Sequence, residues 1–198
     1  MKKLFLLLVA AASFNVNAAL ITVSTDKATY NVGDTIVATV SATNLALPGG
    51  FQTLFSGYST LLTFNASLLD VVSGSAMSLA PYGPDTVMFP AELLSPPTVS
   101  GNNIGMSSVA FNFNPASQLG RNSIGLFSVS FIAKAIGDAV LAMGPSSLSD
   151  PAFPFPLPTQ VGTQNASFTI TQVSAPGTGL LAALALAGLI VVRRRASH

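Results

Sequence analysis

The sequence GLFSVSF at residues 125–131 is the stretch that most clearly decides the fold. Its apolar residues Phe127, Val129 and Phe131 alternate with Ser128 and Ser130. Successive side chains of a β-strand point to opposite faces of a sheet, so this alternation is typical of a strand with one buried face. The stretch therefore predicts a β-strand that contributes two phenylalanines to a hydrophobic core.

The same period of two recurs along residues 20–172. It predicts further strands at residues 21–25, 34–41, 59–64, 108–113, 139–143 and 166–171. The side chains expected to face the core are Ile36, Ala38, Val40, Leu62, Phe64, Val109, Phe111, Phe113, Phe168 and Ile170. No segment of this region shows a sustained helical period. Many short strands separated by Gly, Pro and Asn favour a single antiparallel β-sandwich or barrel.

Turn-forming residues divide these strands. Gly-Asp pairs at residues 33–34 and 137–138 each precede a predicted strand, and this pattern favours turn geometry over a metal site. Two Pro-rich stretches, residues 73–97 and 151–158, are expected to be inserted loops. The second favours extended polyproline II structure, either as a rigid cover for one end of the sandwich or as a ligand for an aromatic groove.

The charge of the chain is unevenly distributed. Five of its eight basic residues lie near the two termini, and Lys27, Arg121 and Lys134 are the other three. Set against seven acidic residues, these three leave the region between the termini with a net charge of −4. A nucleic-acid-binding protein needs a clustered basic surface, so we expect no nucleic-acid partner.

The sequence lacks the residue types that several kinds of catalytic and metal sites require. The sequence has no cysteine, and its single histidine is His198. Disulfides, Ser-His-Asp or Cys-His catalysis and typical zinc sites are therefore not expected, and no cofactor is implied. A two-carboxylate glycosidase is the remaining enzyme hypothesis, with Asp70, Asp85 and Glu92 as candidates. Nothing in the sequence pairs these carboxylates, and we expect a protein that is not an enzyme.

The N-terminus has the pattern of a secretory signal peptide. Lys2 and Lys3 precede an apolar run at residues 4–12, and small residues precede a cleavage site after Ala18. Residues 1–18 are therefore expected to be the signal peptide and residues 19–172 the exported sandwich domain.

The C-terminus carries a second targeting pattern. Residues 180–192 form an uncharged apolar run of 13 residues, followed by Arg193, Arg194 and Arg195. A membrane span needs about 20 apolar residues, so this helix, expected at about 179–192, is marginal. The arginines would hold its end in the cytoplasm.

Residues 173–198 resemble the PEP-CTERM sorting signal of Gram-negative bacteria, in which a short Pro-containing motif precedes a transmembrane helix and an Arg cluster. The motif here is Ser174-Ala175-Pro176 with Gly177 after it, where the family usually has Pro-Glu-Pro. The resemblance implies an exosortase-type transpeptidase as partner, transient anchoring in the inner membrane, and release to the cell surface or extracellular matrix. A C-terminal anchor that is never cut is the alternative.

The sandwich region resembles cohesin-like domains, which are nine-stranded jelly rolls. Four motifs carry this resemblance in family order: YNVGDTI (30–36), STLLTF followed by NASLLDVV (59–72), GLFSVSF (125–131) and AIGDAVL (135–141). The resemblance implies contact with a protein or an exopolysaccharide through a face of the sandwich or its end loops.

These features together predict a non-enzymatic surface or matrix protein with a role in biofilm. A carbohydrate-binding module is the alternative, although Trp is absent and Tyr30, Tyr58 and Tyr82 are the only tyrosines available for stacking on sugars. A glycosidase is the third hypothesis.

Overall fold

The computed structural model describes residues 18–47, 50–79, 92–110, 116, 118–150 and 158–172. The predictions for the signal peptide before Ala18, for Tyr82 and Asp85, for residues 151–157 and for the whole C-terminal segment lie outside these residues. The strands within the described residues are β1 (Leu20–Thr25), β2 (Thr29–Asn31), β3 (Thr35–Thr43), β4 (Gly57–Thr63), β5 (Leu69–Val71), β6 (Met77–Ser78), β7 (Glu92–Ser100), β8 (Asn103–Ala110), β9 (Ser123–Ala133), β10 (Gly137–Met143), β11 (Ser147–Ser149), β12 (Pro158–Gln160), β13 (Gly162–Gln164) and β14 (Ala166–Thr171).

The strands form two sheets around one core. The first sheet has the order β13-β1-β3-β9-β5, with β6 also beside β9. The second has the order β12-β11-β4-β10-β14-β2, with β8 beside β4 and β7 beside β8. Buried side chains from both sheets belong to a single hydrophobic cluster. The all-β fold predicted from the alternating pattern is therefore confirmed, and its layers are those of a sandwich.

Most of the predicted inward-facing residues are buried. Ile36, Ala38 and Val40 of β3 are 0 % exposed, and so are Phe127, Val129 and Phe131 of β9. Leu62 and Ile170 are 0 % exposed, Phe168 is 4 % exposed, and Phe64 is 5 % exposed with its ring 5.2 Å from that of Phe131. These burials confirm that the period of two identified the core face of β3, β4, β9 and β14.

The strand number exceeds the expected nine because several long strands are interrupted. Four groups of consecutive segments can each be joined into one run: β1 with β2, β5 with β6, β10 with β11, and β12 with β13 and β14. The fourteen segments of the described residues then form nine runs. The break between β10 and β11 is an example: Gly144 N–H donates to Leu61 O (2.7 Å), and the Ser146 hydroxyl lies 2.7 Å from that of Thr60. These bonds keep the chain beside β4 although the ladder is interrupted.

Two strand pairs are parallel, which corrects the expectation of a purely antiparallel sandwich. β1 runs parallel to β13 in the first sheet, and β2 runs parallel to β14 in the second. Within the described residues, the first run (β1 and β2) lies beside the last run (β12 to β14), and each contributes strands to both sheets. Antiparallel pairs can be closed by a short hairpin, whereas these pairs join distant parts of the chain.

The crossing from β1 to β2 is fixed by a small polar network. Tyr30 OH donates to Asp26 Oδ1 (2.6 Å) and accepts from Lys27 N–H (2.9 Å), while Val37 N–H also donates to Asp26 Oδ1 (3.2 Å). The hydrogen bond from Tyr30 holds the pKa of the Asp26 carboxyl below its ordinary value. Burial, and then the bond to Asp26, raises the pKa of Tyr30.

The Gly-Asp turn before β3 has the geometry expected from sequence. Gly33 has a φ of +94°, which glycine adopts without strain. Asp34 Oδ2 accepts from Asn31 N–H at 2.8 Å, so the carboxylate closes the turn. In the second pair the carboxylate acts differently, because Asp138 Oδ1 accepts from the hydroxyl of Thr169 (2.8 Å).

The prediction that Val109 faces the core and Ser108 faces outward was wrong. Residues 111–113 of the same predicted strand lie outside the described residues. Ile104, Met106 and Ser108 of β8 are at most 5 % exposed, whereas Val109 is only half-buried. The register with β4 pairs Ser108 with Tyr58, which faces the core. The serine therefore takes the core position, because its phase is set by pairing with β4 and not by its own polarity.

The expectation that residues 73–97 form an inserted loop also needs correction. The end of this stretch belongs to β7, which pairs with β8 across a two-residue hairpin at Gly101. Gly101 has a φ of +58°, as such a turn requires at its first position. The register shifts between Ser95 and Thr98, and Pro96 and Pro97 lie at this irregularity. Proline lacks an N–H, and bulges and strand edges tolerate that loss.

Candidate interaction surfaces

The predicted targeting residues are only partly within the described chain. Ala18 is exposed and lies two residues before the start of β1 at Leu20. Ser174, Ala175, Pro176 and Gly177 lie outside the described residues, as do Arg193, Arg194 and Arg195. The described part of the chain contains no apolar helix of membrane-spanning length.

Of the three candidate catalytic carboxylates, only Asp70 has a side chain that the structure describes. Asp70 lies on β5 and pairs with Lys134 (3.1 Å), and both side chains are more than half exposed. Asp85 lies outside the described residues, and for Glu92 only the backbone position at the start of β7 is described. Among the described residues, no three His, Cys, Asp or Glu side chains are grouped so that they could hold a metal ion.

The outer side of the second sheet carries an uncharged surface, here called the β4–β8 face. It consists of three cross-strand pairs, Ser59 with Ser107, Leu61 with Gly105, and Thr63 with Asn103. The Thr63 hydroxyl donates to Asn103 Oδ1 at 2.9 Å. A shallow depression of about 290 Å³ lies on this face and is also lined by Thr98 and Pro145. The face therefore offers hydroxyls and one apolar side chain without a charge to desolvate.

The two glycines near this face have different roles, and only Gly57 lies where the strands approach too closely for a side chain. A Cβ on Gly57 would lie 2.5 Å from Ser108 O and 3.0 Å from the Cα of Val109, both backbone atoms. A Cβ on Gly105 would meet nothing closer than Thr98 Oγ1 at 3.7 Å. Gly57 is thus required by the approach of β4 to β8, whereas Gly105 leaves the depression open.

A second surface lies at one end of the sandwich, where Phe51 is 73 % exposed and Leu119 is 59 % exposed. The side chain of Gln52, beside Phe51, makes two hydrogen bonds to the backbone of the loop that carries Leu119. Gln52 Nε2 donates to Arg121 O (2.9 Å), and Gln52 Oε1 accepts from Gly120 N–H (2.9 Å). The exposed ring of Phe51 is therefore presented next to a residue with a fixed position.

Gln118 is the buried part of this arrangement. Its side chain is 0 % exposed, and its amide pairs with both backbone polar groups of Phe55: Nε2 donates to Phe55 O (2.6 Å), and Oε1 accepts from Phe55 N–H (3.1 Å). No sequence pattern indicates this role, because a glutamine between Ser117 and Leu119 is expected on the surface. An aromatic residue directly after Gly50 could have drawn attention to Phe51.

The tyrosines that were candidates for stacking on sugars do not lie on either of these surfaces. Tyr30 and Tyr58 are each 1 % exposed, so both are core residues. Tyr82 lies outside the described residues. The alternative of a carbohydrate-binding module therefore loses two of its three tyrosines, and Phe51 is the strongly exposed aromatic residue among the described positions.

No protein-family model matches the sequence, and no curated protein sequence matches it either. Solved structures match its fold. A non-cellulosomal cohesin from the archaeon Archaeoglobus fulgidus has 17 % identity and a TM-score of 0.53, over 78 % of this chain and 92 % of that one. A type II cohesin domain from the cellulosome of Acetivibrio cellulolyticus has 12 % identity and a TM-score of 0.52, over 76 % and 95 %.

A third similar structure comes from a type II cohesin–X-dockerin complex of Acetivibrio cellulolyticus, with 18 % identity and a TM-score of 0.50 over 77 % of this chain and 99 % of that one. At such identities the similarity shows the fold alone. The cohesin-like β-sandwich expected from the order of the sequence motifs is confirmed at that level.

Proposed function

We propose that this chain is a non-enzymatic, exported surface or matrix protein whose cohesin-like domain makes protein contacts through the β4–β8 face. The observation that carries the proposal is the chemistry of that face: its six residues are uncharged, and Gly105 leaves a depression at its centre. The centres of protein interfaces are depleted in charged residues, so a partner can cover this face without stranding a buried ion.

The fold supports the same proposal. One structural neighbour is a cohesin in complex with a dockerin-containing partner, so this sandwich type is used for protein contact in that protein. The backbone ladder between β4 and β8 makes the face rigid, and rigid elements place contact residues more precisely than loops do.

Site-directed photo-crosslinking tests the face. A photo-reactive residue is placed at Ser107 on the β4–β8 face, and the matched control is Thr39, an equally half-buried residue on the outer side of the first sheet. We expect a discrete protein adduct in the exporting host from position 107 and not from position 39. Adducts from position 39 alone, or from neither position, would contradict the proposed face.

We also propose that a signal peptide is removed after Ala18 and that the Ser174-Ala175-Pro176 segment is processed by an exosortase-type enzyme, which releases the protein to the surface or matrix. The start of β1 at Leu20 supports the first step, since a cut after Ala18 would precede this strand and leave it intact. Mass spectrometry of both mature termini, with and without the sorting peptidase, tests this. An intact C-terminal arginine cluster in exported material would contradict the second step.

Contact with an exopolysaccharide is the second candidate, and the exposed ring of Phe51 favours it. Sugar rings pack against aromatic faces presented by a fixed scaffold. We expect Phe51→Ala to weaken retention of the protein on the host's own exopolysaccharide. Ile136→Ala is the matched control, because Ile136 is an apolar residue exposed to a similar degree, 58 %. Equal retention of both variants would rule out the Phe51 site.

A glycosidase remains the candidate to be tested by activity. Within the described part of the chain, the partner of Asp70 is Lys134 and not a second carboxylate, whereas glycoside hydrolysis requires two. We expect no hydrolysis across a panel of glycans. Hydrolysis that disappears in Asp70→Asn or Glu92→Gln would show that the chain is an enzyme.

A further inference from the structure

The chain leaves the sandwich at one end, here called the exit end, which consists of the turns at residues 31–34 and 65–68, the hairpin loop at residues 134–136, and Thr171. β14 ends at Thr171. Its carbonyl oxygen accepts from Val32 N–H (2.9 Å), and its hydroxyl donates to Asn31 Oδ1 (3.1 Å). The point at which the chain leaves the sandwich is therefore fixed by the turn before β3.

The loop of the β9–β10 hairpin lies directly beside this point. Gly137, the first residue of β10, pairs with Ile170 of β14. Ile136 is one position beyond this pair on one strand, as Thr171 is on the other. The hairpin loop at residues 134–136 and the chain exit are therefore neighbours on the surface.

The hairpin loop presents one apolar and one basic side chain. Ile136 is 58 % exposed, and the Lys134 side chain is 51 % exposed. The carboxylates of this end lie elsewhere: Asp70 and Asp138 are on β5 and β10, and Asp34 bonds to the end of β9. The loop itself thus combines an exposed aliphatic side chain with a cation, although Asp70 lies 3.1 Å from the Lys134 ammonium group.

The sequence after β14 limits how far this end can lie from a membrane. The uncharged apolar run at residues 180–192 is followed by three arginines. Leu180 is eight residues after Gln172, so the two lie at most about 29 Å apart. If the apolar run spans the bilayer, the exit end is therefore kept close to the bilayer surface.

We propose that, in the membrane-anchored chain, the exit end rests on the lipid surface, with Ile136 among the lipid headgroups and Lys134 beside a lipid phosphate. This inference rests on the C-terminal anchor expected from residues 180–195 and concerns the chain before any release. The tether makes the contact intramolecular, so a weak affinity is sufficient. Lys134 can exchange Asp70 for a phosphate, because an exposed ion pair contributes little.

The contact would direct the opposite end of the sandwich away from the membrane. β9 starts at Ser123, shortly after the loop that carries Leu119, and ends at Ala133 beside the exit end. Its length is about 33 Å. The surface formed by Phe51 and Leu119 would then lie on the outer side, where a matrix component can reach it.

Site-specific fluorescence tests the orientation. The chain has no cysteine, so a fluorophore can be attached at one introduced cysteine. Ser67→Cys places it at the exit end, and Ser123→Cys places it on a second exposed serine at the opposite end. The full chain is reconstituted in vesicles of phosphatidylethanolamine and phosphatidylglycerol with nitroxide-labelled headgroups, and flotation measures anchoring. We expect strong quenching at position 67 and little at position 123.

Substitution of Ile136 separates a lipid contact from the effect of the tether. We expect Ile136→Ser to lower the ratio of docked to undocked chains, measured by time-resolved quenching at position 67, about tenfold, because a buried isoleucine side chain contributes at least that much. Leu119→Ser is the matched control, since Leu119 is 59 % exposed at the opposite end, and it should change nothing. Lys134→Gln should lower the ratio at low salt and have less effect at high salt.

Each outcome bears on a separate statement. Chains that do not float with the vesicles show that the predicted anchor is wrong, and the lipid contact fails with it. Equal quenching at positions 67 and 123 in floating chains overturns the orientation. Stronger quenching at position 67 that Ile136→Ser leaves unchanged overturns the lipid contact, and no effect of Lys134→Gln at low salt removes Lys134 from it. The β4–β8 face is unaffected by these results, because its crosslinking test is independent.

Discussion

The hydroxyl of Tyr58 in β4 donates a hydrogen bond to the carbonyl oxygen of Leu126 in β9 (3.3 Å), and so joins the two sheets through the core. Leu126 is the extra residue of a β-bulge, because Val40 pairs with Phe127 and Ser41 pairs with Gly125. A bulge leaves a backbone group outside the regular ladder. Leu79 N–H (2.9 Å) and the Tyr58 hydroxyl share this carbonyl oxygen, so the irregularity is satisfied from both sheets.

Tyr58→Phe tests the bond between the sheets. We expect the free energy of unfolding to fall by about 1 kcal/mol, the usual value for one buried hydrogen bond, since Leu79 still donates to the Leu126 oxygen. Urea denaturation followed by circular dichroism measures the change. An unchanged midpoint would show that this bond adds nothing to the packing of the ring.

Gln118→Leu should destabilise the protein more strongly. Leucine is similar in size but cannot make either hydrogen bond to the Phe55 backbone, and each buried hydrogen bond contributes about 0.5–1.5 kcal/mol. The matched control is Gln160→Leu, because Gln160 is an exposed glutamine on β12. Thermal or urea unfolding of the two variants should differ clearly, and equal stabilities would contradict the role assigned to Gln118.

Tyr30→Phe should alter how stability depends on acid. The pKa of Asp26 lies below 3.8, chiefly because Tyr30 donates to its carboxylate. A lowered carboxyl pKa contributes stability that is complete above the unfolded value and is lost as the pH falls through the folded value. The stability difference between wild type and Tyr30→Phe should therefore be full at neutral pH and shrink in the acid range below 3.8.

Urea titrations from acid to neutral pH, with NMR titration of the Asp26 carboxyl, provide the measurement. The pKa of Asp26 should rise in Tyr30→Phe. Tyr58→Phe is the control, because the Tyr58 hydroxyl bonds to a carbonyl and its stability cost should not change over this pH range. A constant difference for Tyr30→Phe would show that the carboxylate is not the partner that matters.

Gly57→Ala and Gly105→Ala form a matched pair of substitutions in adjacent strands. The first would push a Cβ into the backbone of β8, 2.5 Å from Ser108 O, and overpacking of this kind costs about 1–3 kcal/mol. The second places a Cβ in ordinary contact with Thr98, and we expect a change within about 0.5 kcal/mol. Similar losses for both variants, measured by urea denaturation, would contradict the close approach at Gly57.

The alternating pattern predicted most of the core because it is local. Residues such as Ile36, Phe127 and Ile170 show their facing through their immediate neighbours in sequence. The turn at Gly33 and Asp34 was predictable for the same reason, since the two hydrogen bonds between Asn31 and Asp34 join residues three positions apart. The absence of cysteine, and of any histidine before residue 198, removed whole classes of chemistry without any structural information.

The candidate surfaces were much less predictable. Ser107 and Gly105 have no distinguishing local pattern, and they form a face only because β8 pairs with β4 in one register. Val109 was assigned to the core for its apolar side chain, yet that register turns it outward. The buried role of Gln118 depends on Phe55, which is 63 positions away in sequence.

The sequence alone thus determined the all-β class, the faces of four strands and the restricted chemistry of the chain, because each of these depends on residue type and short-range period. Only the tertiary structure decided the parallel pairing of the first and last runs, the strand at the end of the Pro-rich stretch, and the position of the hairpin loop at residues 134–136 beside the end of β14. These features depend on which distant segments share a hydrogen-bonding edge, and local propensity carries no information about that choice.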